Sequence, residues 1–286
     1  MVGARFVLFS AVLLLVGTVL FRRAIAEPRA SNEQTRRLHR LEYVALAGAV
    51  MGLAFWLPLE AAEIGSGWTS SYDPTVLSGL LFDTSLGQVW AVQVLFVLAQ
   101  VGLTIRDRTI GPKTAIAGPL LLVLALGPNG HGSLSDDAVL PALLGLHLAA
   151  AGAWVGSLPA LWLCVLSAKP TEDLTGLSRT VARFSYFAQG AVVIAIATGL
   201  ICLRLISGTW PTDLSSLYRR LLLAKVALVA VMIALALFNR FIATPKLASE
   251  PDTGLAMLKR TLALDLALSA AVLMLVAEVG TQSPMD

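Results

Sequence analysis

Residues 127–158 read GPNGHGSLSDDAVLPALLGLHLAAAGAWVGSL: a polar, glycine-rich turn carrying His131, then an apolar segment with His147 inside it. The chain has only three histidines, and two of them lie here. At about 100° per residue, His147 shares a helix face with Ala151, Trp154 and Leu158, while Gly145, Ala149, Gly152 and Gly156 gather on the other side. Small residues let a neighbouring helix approach closely, as they do in membrane bundles. The imidazole and indole are left for a different protein surface or a cavity.

Working outward from that helix, the composition sets the class. The chain of 286 residues is 57% hydrophobic and 14% charged, with a mean hydropathy of +0.78, whereas a soluble domain carries roughly 25% charged residues. An ordinary soluble fold is excluded. The apolar runs divide into eight stretches, approximately 2–21, 41–59, 87–105, 113–127, 138–167, 184–206, 218–241 and 261–279. They predict an all-α polytopic protein, a single integral membrane domain over 1–286 with eight transmembrane helices. The fourth run is short for a crossing. The first ends in Arg22 and Arg23 ahead of Ala24-Ile25-Ala26; a secretory signal carries its positive charge before the apolar core, so a retained helix is expected.

Sixteen of the 21 lysines and arginines fall in alternate loops, over 22–40, 106–113, 169–183 and 240–260. The positive-inside rule then places both termini in the periplasm of a bacterial inner membrane. Arg219, Arg220 and Lys225 open the seventh run on the opposite side, against that pattern. The net charge of +3 and pI near 9.1 come from these loops, so a lipid bilayer is expected as partner and nucleic acid is not. The stretch 60–86 has no basic residue and reads as an outer loop, with Trp68 and Tyr72 at the interface and Pro58 closing the helix before it. Gly48 and Gly52 form a close-packing pair, and Gln93, Gln100 and Thr104 are expected to bond between helices. Cys164 and Cys202 lie near the ends of consecutive runs, too far apart for a disulfide, which predicts two free thiols.

Ionisable groups inside a membrane are costly, so each is a functional candidate by default. His147 reads as a metal ligand or proton relay, or else as the donor of an interhelical hydrogen bond. His131 reads as a metal ligand or a solvated loop residue, and His39, among Arg36, Arg37 and Arg40, as a solvated inner-face residue. Met51 and Met274 are thioether candidates, although methionine more often fills gaps. Glu60, Glu63, Asp136, Asp137 and Glu278 gather at the outer side, where they can concentrate cations. Among sequence motifs, CxxC, HExxH and a Walker loop are absent, and no enzymatic activity is expected. A bundle holding two bis-histidine haems would need four membrane histidines; there is one.

HLAAAGAWVGSL at 147–158 resembles the H-x-x-A-x-x-x-W-x-G-G-L helix of the CopD/PcoD copper resistance membrane proteins. YRRLLLAKVALVAVMIALALFNRF at 218–241 is similar to their Tyr-x-x-Leu-Leu-x-Lys…Asn-Arg segment, and GHGSL at 130–134 to the small-residue-flanked histidine they carry just before the His147 helix. Ser157 replaces the second glycine, a departure that bears on close packing. The first hundred residues match in hydropathy alone. The resemblance implies an eight-helix inner-membrane protein that takes copper from periplasm to cytoplasm with a periplasmic CopC-like carrier. It also makes Arg219, Arg220 and Lys225 part of the family pattern.

The expected cargo is therefore a copper ion, Cu(I) or Cu(II), with His131 and His147 as leading ligands in one site and Met51, Glu60, Glu63, Asp136, Met274 and Glu278 as weaker candidates. Trp154 is expected as a packing or cation–π neighbour. Lys225, with Arg219 or Arg220, is expected in structure or gating, paired with Asp213, Glu60, Glu63 or Glu278. Met51 or Cys164 would follow toward the inner side. With no energy-coupling motif, transport is expected to run downhill or by ligand exchange; homo-oligomerisation is left open. The alternative is a membrane redox or metal-assembly component holding haem or copper without transport.

Overall fold

The computed structural model describes residues 2–27, 32–65, 67–106, 111–129, 138–171, 173–207 and 216–280. Among them there are helices and turns and no strand. Seven helices are long and apolar enough to cross a membrane: Val2–Ile25, Asn32–Ile64, Ser85–Ile105, Val139–Ser167, Thr175–Ile206, Leu217–Ser249 and Pro251–Val279. The short fourth run forms α5, Pro112–Leu124, of 13 residues; at 1.5 Å per residue it is about 20 Å long, against a hydrocarbon core of about 30 Å.

The first helix, α1 (Val2–Leu20), continues through a π-helical turn at Phe21–Ile25. It is apolar on every side, and a helix of that kind belongs in the interior. In Val2–Ile25, 72% of the most apolar stretch is buried, against 6% in Leu217–Ser249. α2 (Asn32–Ile64), α5, α6 (Val139–Trp154), α7 (Leu158–Ser167) and α11 (Pro251–Val279) pack around it.

Small residues set the closest of these approaches. A Cβ added at Gly17 would fall 1.9 Å from the Gly156 carbonyl carbon, and one at Gly156 would fall 1.9 Å from the Leu13 oxygen. Backbone thus meets backbone where α1 crosses the α6–α7 junction, and Gly152 faces Leu13 and Val16 of the same helix. Ser157 is fully buried at that crossing, and its hydroxyl lies 2.9 Å from the Gly17 oxygen and 2.7 Å from the Ala153 oxygen as donor. The departure from the family motif therefore keeps the close approach and adds a bond across it. Gly52 and Gly48 hold α2 against Leu8 and Ala11.

Four sequence expectations change. The stretch 138–167 is two helices joined by a 3-10 turn at Val155–Ser157, because Pro159 has no N–H for the Val155 carbonyl and its ring crowds that carbonyl. Pro58 does not end α2, which runs on to Ile64; Trp90 of α4 (Ser85–Ile105) donates to the Leu53 carbonyl at 3.0 Å in the turn before it. The stretch 60–86 is no simple loop: a 3-10 turn at Trp68–Tyr72 leads into α3 (Pro74–Asp83). Asp73 caps α3 by accepting from the Thr75 N–H at 2.8 Å, with Pro74 in the first turn, as helix starts favour. Lastly, Gln93 links α4 to the Ala125 carbonyl and Asn129, but Gln100 bonds Thr104 within its own helix.

The remaining helices are α8 (Thr175–Ser207), α9 (Leu217–Phe238) with a π-helical turn at Asn239–Ala243, α10 (Thr244–Ser249) and α11. Thr261 of α11 donates to Asn239 at 2.5 Å. One end of the bundle is basic. There Arg22 grips Glu42 through two bonds of 2.6 and 3.0 Å, both side chains largely buried, while Arg179 and Arg183 reach Glu27. Glu60 and Glu63 mark the acidic end. Arg5 lies against Gly280 there, so the two ends of the described chain meet at the acidic end.

Candidate metal site

His147 projects from α6 onto α8. Its Nδ1 lies 2.9 Å from the Ala195 carbonyl and 3.3 Å from the Thr198 hydroxyl. A carbonyl only accepts, so Nδ1 carries the proton and donates, which leaves the lone pair on Nε2. The Thr198 hydroxyl is itself turned back to the Ile194 carbonyl at 2.7 Å. Gly199 completes the seat: a Cβ there would come within 3.1 Å of the imidazole Cε1. In metal sites, hydrogen bonds of this kind fix the tautomer and orientation of a ligating histidine.

Cys202 follows Thr198 by one turn on the same helix; it is buried and a free thiol, as is Cys164. Lys225 of α9 acts electrostatically on both His147 and Cys202. An imidazole nitrogen, a thiol and an amine thus share one region of the bundle. The first two are borderline and soft donors suited to copper; the third, when protonated, repels a cation beside them.

The other candidates are dispersed. His131, Asp136, Asp137 and Asp213 lie outside the described residues, so the expected pairing of His131 with His147 is not placed. Met51 and Met274 are 51% and 52% exposed on the bundle surface. Glu60 is half-buried and interacts with Arg5 and Glu63, and the Arg5 guanidinium also stacks 5.4 Å from the Trp56 ring centre. Glu63 is exposed, and Glu278 is half-buried near the end of α11.

Trp154 is buried, and among the described residues its ring carries no cation; Arg5 on Trp56 and Arg240 on Tyr186 are cation–π pairs. The carboxylates expected beside Lys225 do not form an ion pair with it among the described residues, where it acts instead on His147 and Cys202. The Arg219 N–H is capped by the Ser216 hydroxyl at 3.3 Å, and Arg220 is exposed. His39 is half-buried 3.8 Å from Glu42. No group of three or more His, Cys, Asp and Glu able to hold a metal occurs among the described residues.

Sequence reasoning missed the α8 side of this site. A backbone carbonyl comes with every residue type, so Ala195 has no signature; the helical spacing of Thr198, Gly199 and Cys202 was the available signal.

Residues 1–139 match the family described as Copper resistance protein D-like, N-terminal domain, and residues 178–279 match Copper resistance protein D. The chain is 25% identical to Inner membrane protein YebZ of Escherichia coli, over 99% of this chain and 98% of that one. It is 30% identical to Copper transport protein CutJ of Bacillus subtilis over 98% of this chain, which spans 52% of that protein. With Copper resistance protein D of Pseudomonas syringae pv. tomato it shares 26% identity over 99% of this chain and 96% of the relative. No solved structure matches. With family matches at both ends of the chain and relatives aligned along nearly all of it, this copper-handling, multi-pass membrane protein belongs to the copper resistance protein D family.

Proposed function

We propose that this protein is a copper permease, carrying copper ions from the periplasm to the cytoplasm of a bacterium through a site built on His147. The observation that carries the reading is the hydrogen bond from Nδ1 to Ala195: it leaves Nε2 free to ligate inside an apolar bundle, in the same region as the Cys202 thiol. Imidazole and thiolate are ligand types that copper favours. His131, arriving from the turn that precedes α6, would add a second imidazole. Lys225 is the gate, an ammonium that holds the empty site's place and gives way to the entering cation.

In this reading α5 crosses the membrane and the helices number eight. The meeting of Arg5 with Gly280 supports an even number of crossings, and the sixteen basic residues of alternate loops put the basic end in the cytoplasm. The acidic end then faces the periplasm, where Glu60, Glu63, Asp136 and Asp137 concentrate cations and a CopC-like carrier delivers them. No catalytic step is assigned to the chain.

The test is copper content after purification, followed by uptake of radioactive copper into vesicles holding only this protein. Wild type should bind copper and pass it down a gradient, and His147→Ala should do neither. A haem absorption band, or bound copper that changes oxidation state without crossing even with a loaded carrier present, would replace transport by a redox or assembly role.

A further inference from the structure

At the middle of α11 stands a carboxyl group that the copper site does not use. Asp265 is the central residue of Pro251–Val279, 3% exposed, and its Oδ1 has no hydrogen-bond partner. Among the other buried atoms in the same condition are the Thr18 hydroxyl of α1 and the Trp162 indole nitrogen of α7. The helices α1, α7 and α11 pack on one another.

Helix registers bring Thr18 and Trp162 each within about one turn of Asp265 in depth. Arg5 against Gly280 fixes antiparallel α1 and α11 so that Thr18 falls within about one turn of Asp265. Lys259 against the Ala168 carbonyl, at 3.5 Å, sets Trp162 level with Asp265. A donor, a hydroxyl that donates and accepts, and a carboxyl therefore lie at similar depths on three helices that pack together, toward the basic end of α1.

Among the described residues no charged group acts on the acid. Of the charged groups on the packed elements, Arg22 is held by Glu42, Arg240 lies on the Tyr186 ring and Ser185, Lys246 reaches Glu250, Lys259 reaches Ala168, Arg5 lies on Trp56 at the acidic end, Arg23 has contacts of its own, Arg219 stands at the start of α9, and Arg220 and Arg260 are exposed. Lys225 stands about three turns nearer the acidic end, and Cys164 is the titratable group on α7. Opposite Asp265, by the Asn239–Thr261 register, α9 presents Met232 and Leu235. An uncompensated carboxylate is costly in an apolar interior, which favours the protonated acid there.

We propose that Asp265 is a proton-binding site whose proton is displaced when a cation enters the bundle. The carboxyl O–H bond breaks, its electron pair stays on oxygen, and the proton leaves to bulk water; nothing is oxidised or reduced. One monovalent cation in and one proton out leave the net charge unchanged, and the carboxylate balances the cation on its way past. Asp265 lies about three turns further from the acidic end than His147, by the Gly17–Gly156 and Arg5–Gly280 registers, so the exchange follows capture. It would supply the driving force that sequence motifs do not. The identity of the cation rests on the copper reading above.

The experiment uses the full chain, with Cu(I) and redox-silent Ag(I) as probes, followed by infrared difference spectroscopy in detergent and a pH-sensitive dye in liposomes. Wild type should show the carbonyl stretch of a protonated acid, lost on adding either ion together with proton release. Asp265→Asn should lack the band and the release while still binding the ion, and Asp265→Glu should restore both. A wild-type band that does not move, or unchanged release from Asp265→Asn, overturns the proposal with the copper reading intact. Wild type that binds neither ion overturns both. Should Asp265→Asn fail to accumulate, the wild-type and Asp265→Glu spectra decide.

Discussion

His147 is held through one ring nitrogen and, in the proposed permease, would ligate through the other, so substitution can separate the two roles. Asparagine places an amide N–H where Nδ1 stands and offers nothing at Nε2. His147→Asn should therefore keep the bond to Ala195, accumulate and melt like wild type, and purify without copper; copper retained at the wild-type level would remove His147 from the ligand set. His147→Ala loses the bond as well, a cost of about 0.6 kcal/mol for a typical interhelical hydrogen bond in a membrane. The neighbours give a second prediction. Cys202→Ser should weaken Cu(I) binding more than Cu(II), since it replaces a soft donor by a hard one. Lys225→Met should tighten cation binding by on the order of 1 kcal/mol by removing a like charge; affinity and uptake unchanged in that variant would deny Lys225 any gating role.

At the scale of elements, the bundle depends on the crossing of α1 with the α6–α7 junction. Gly156→Ala puts a methyl into the Leu13 carbonyl, and backbone cannot yield as a side chain does, so a loss of about 1–3 kcal/mol or more is expected, read as a lower melting temperature in detergent. Ser157→Ala should cost far less, because only its bond to Gly17 is removed. This crossing was legible beforehand: Gly152 and Gly156 lie on one face of a sequence whose other face carries His147, and the structure uses both faces as that pattern demands. The helix ends were not. Pro159 breaks its helix and Pro58 leaves its helix continuous, and the difference lies in neighbours remote in sequence, such as Trp90 on Leu53. The candidate site was half legible for a related reason. An intramembrane histidine announces itself by cost, whereas its seat on α8 is made of a carbonyl, a threonine and a glycine with no cost to announce. Nor did anything in the sequence show that Lys225 would lie with His147 and Cys202 rather than with a carboxylate, since that choice belongs to the packing of α9.

For the molecule as a whole, α1 is the axis around which the other helices assemble, and the direction of every later helix follows from how many times the chain crosses. The weak step is α5, at 13 residues. If it crosses, both ends of the chain share a side, in keeping with Arg5 against Gly280; if it dips and returns, every segment from α6 onward inverts and the loops over 169–183 and 240–260 carry their positive charge to the wrong side. Fusions of a reporter active only in the cytoplasm separate the two. A fusion after Arg106 should be active, one after Asn129 silent, one after Ser249 active, and one at the carboxyl end silent. Activity after Asn129 and at the carboxyl end, with silence after Ser249, would mean that α5 does not cross, and the acidic end could not then be the single face on which copper is received.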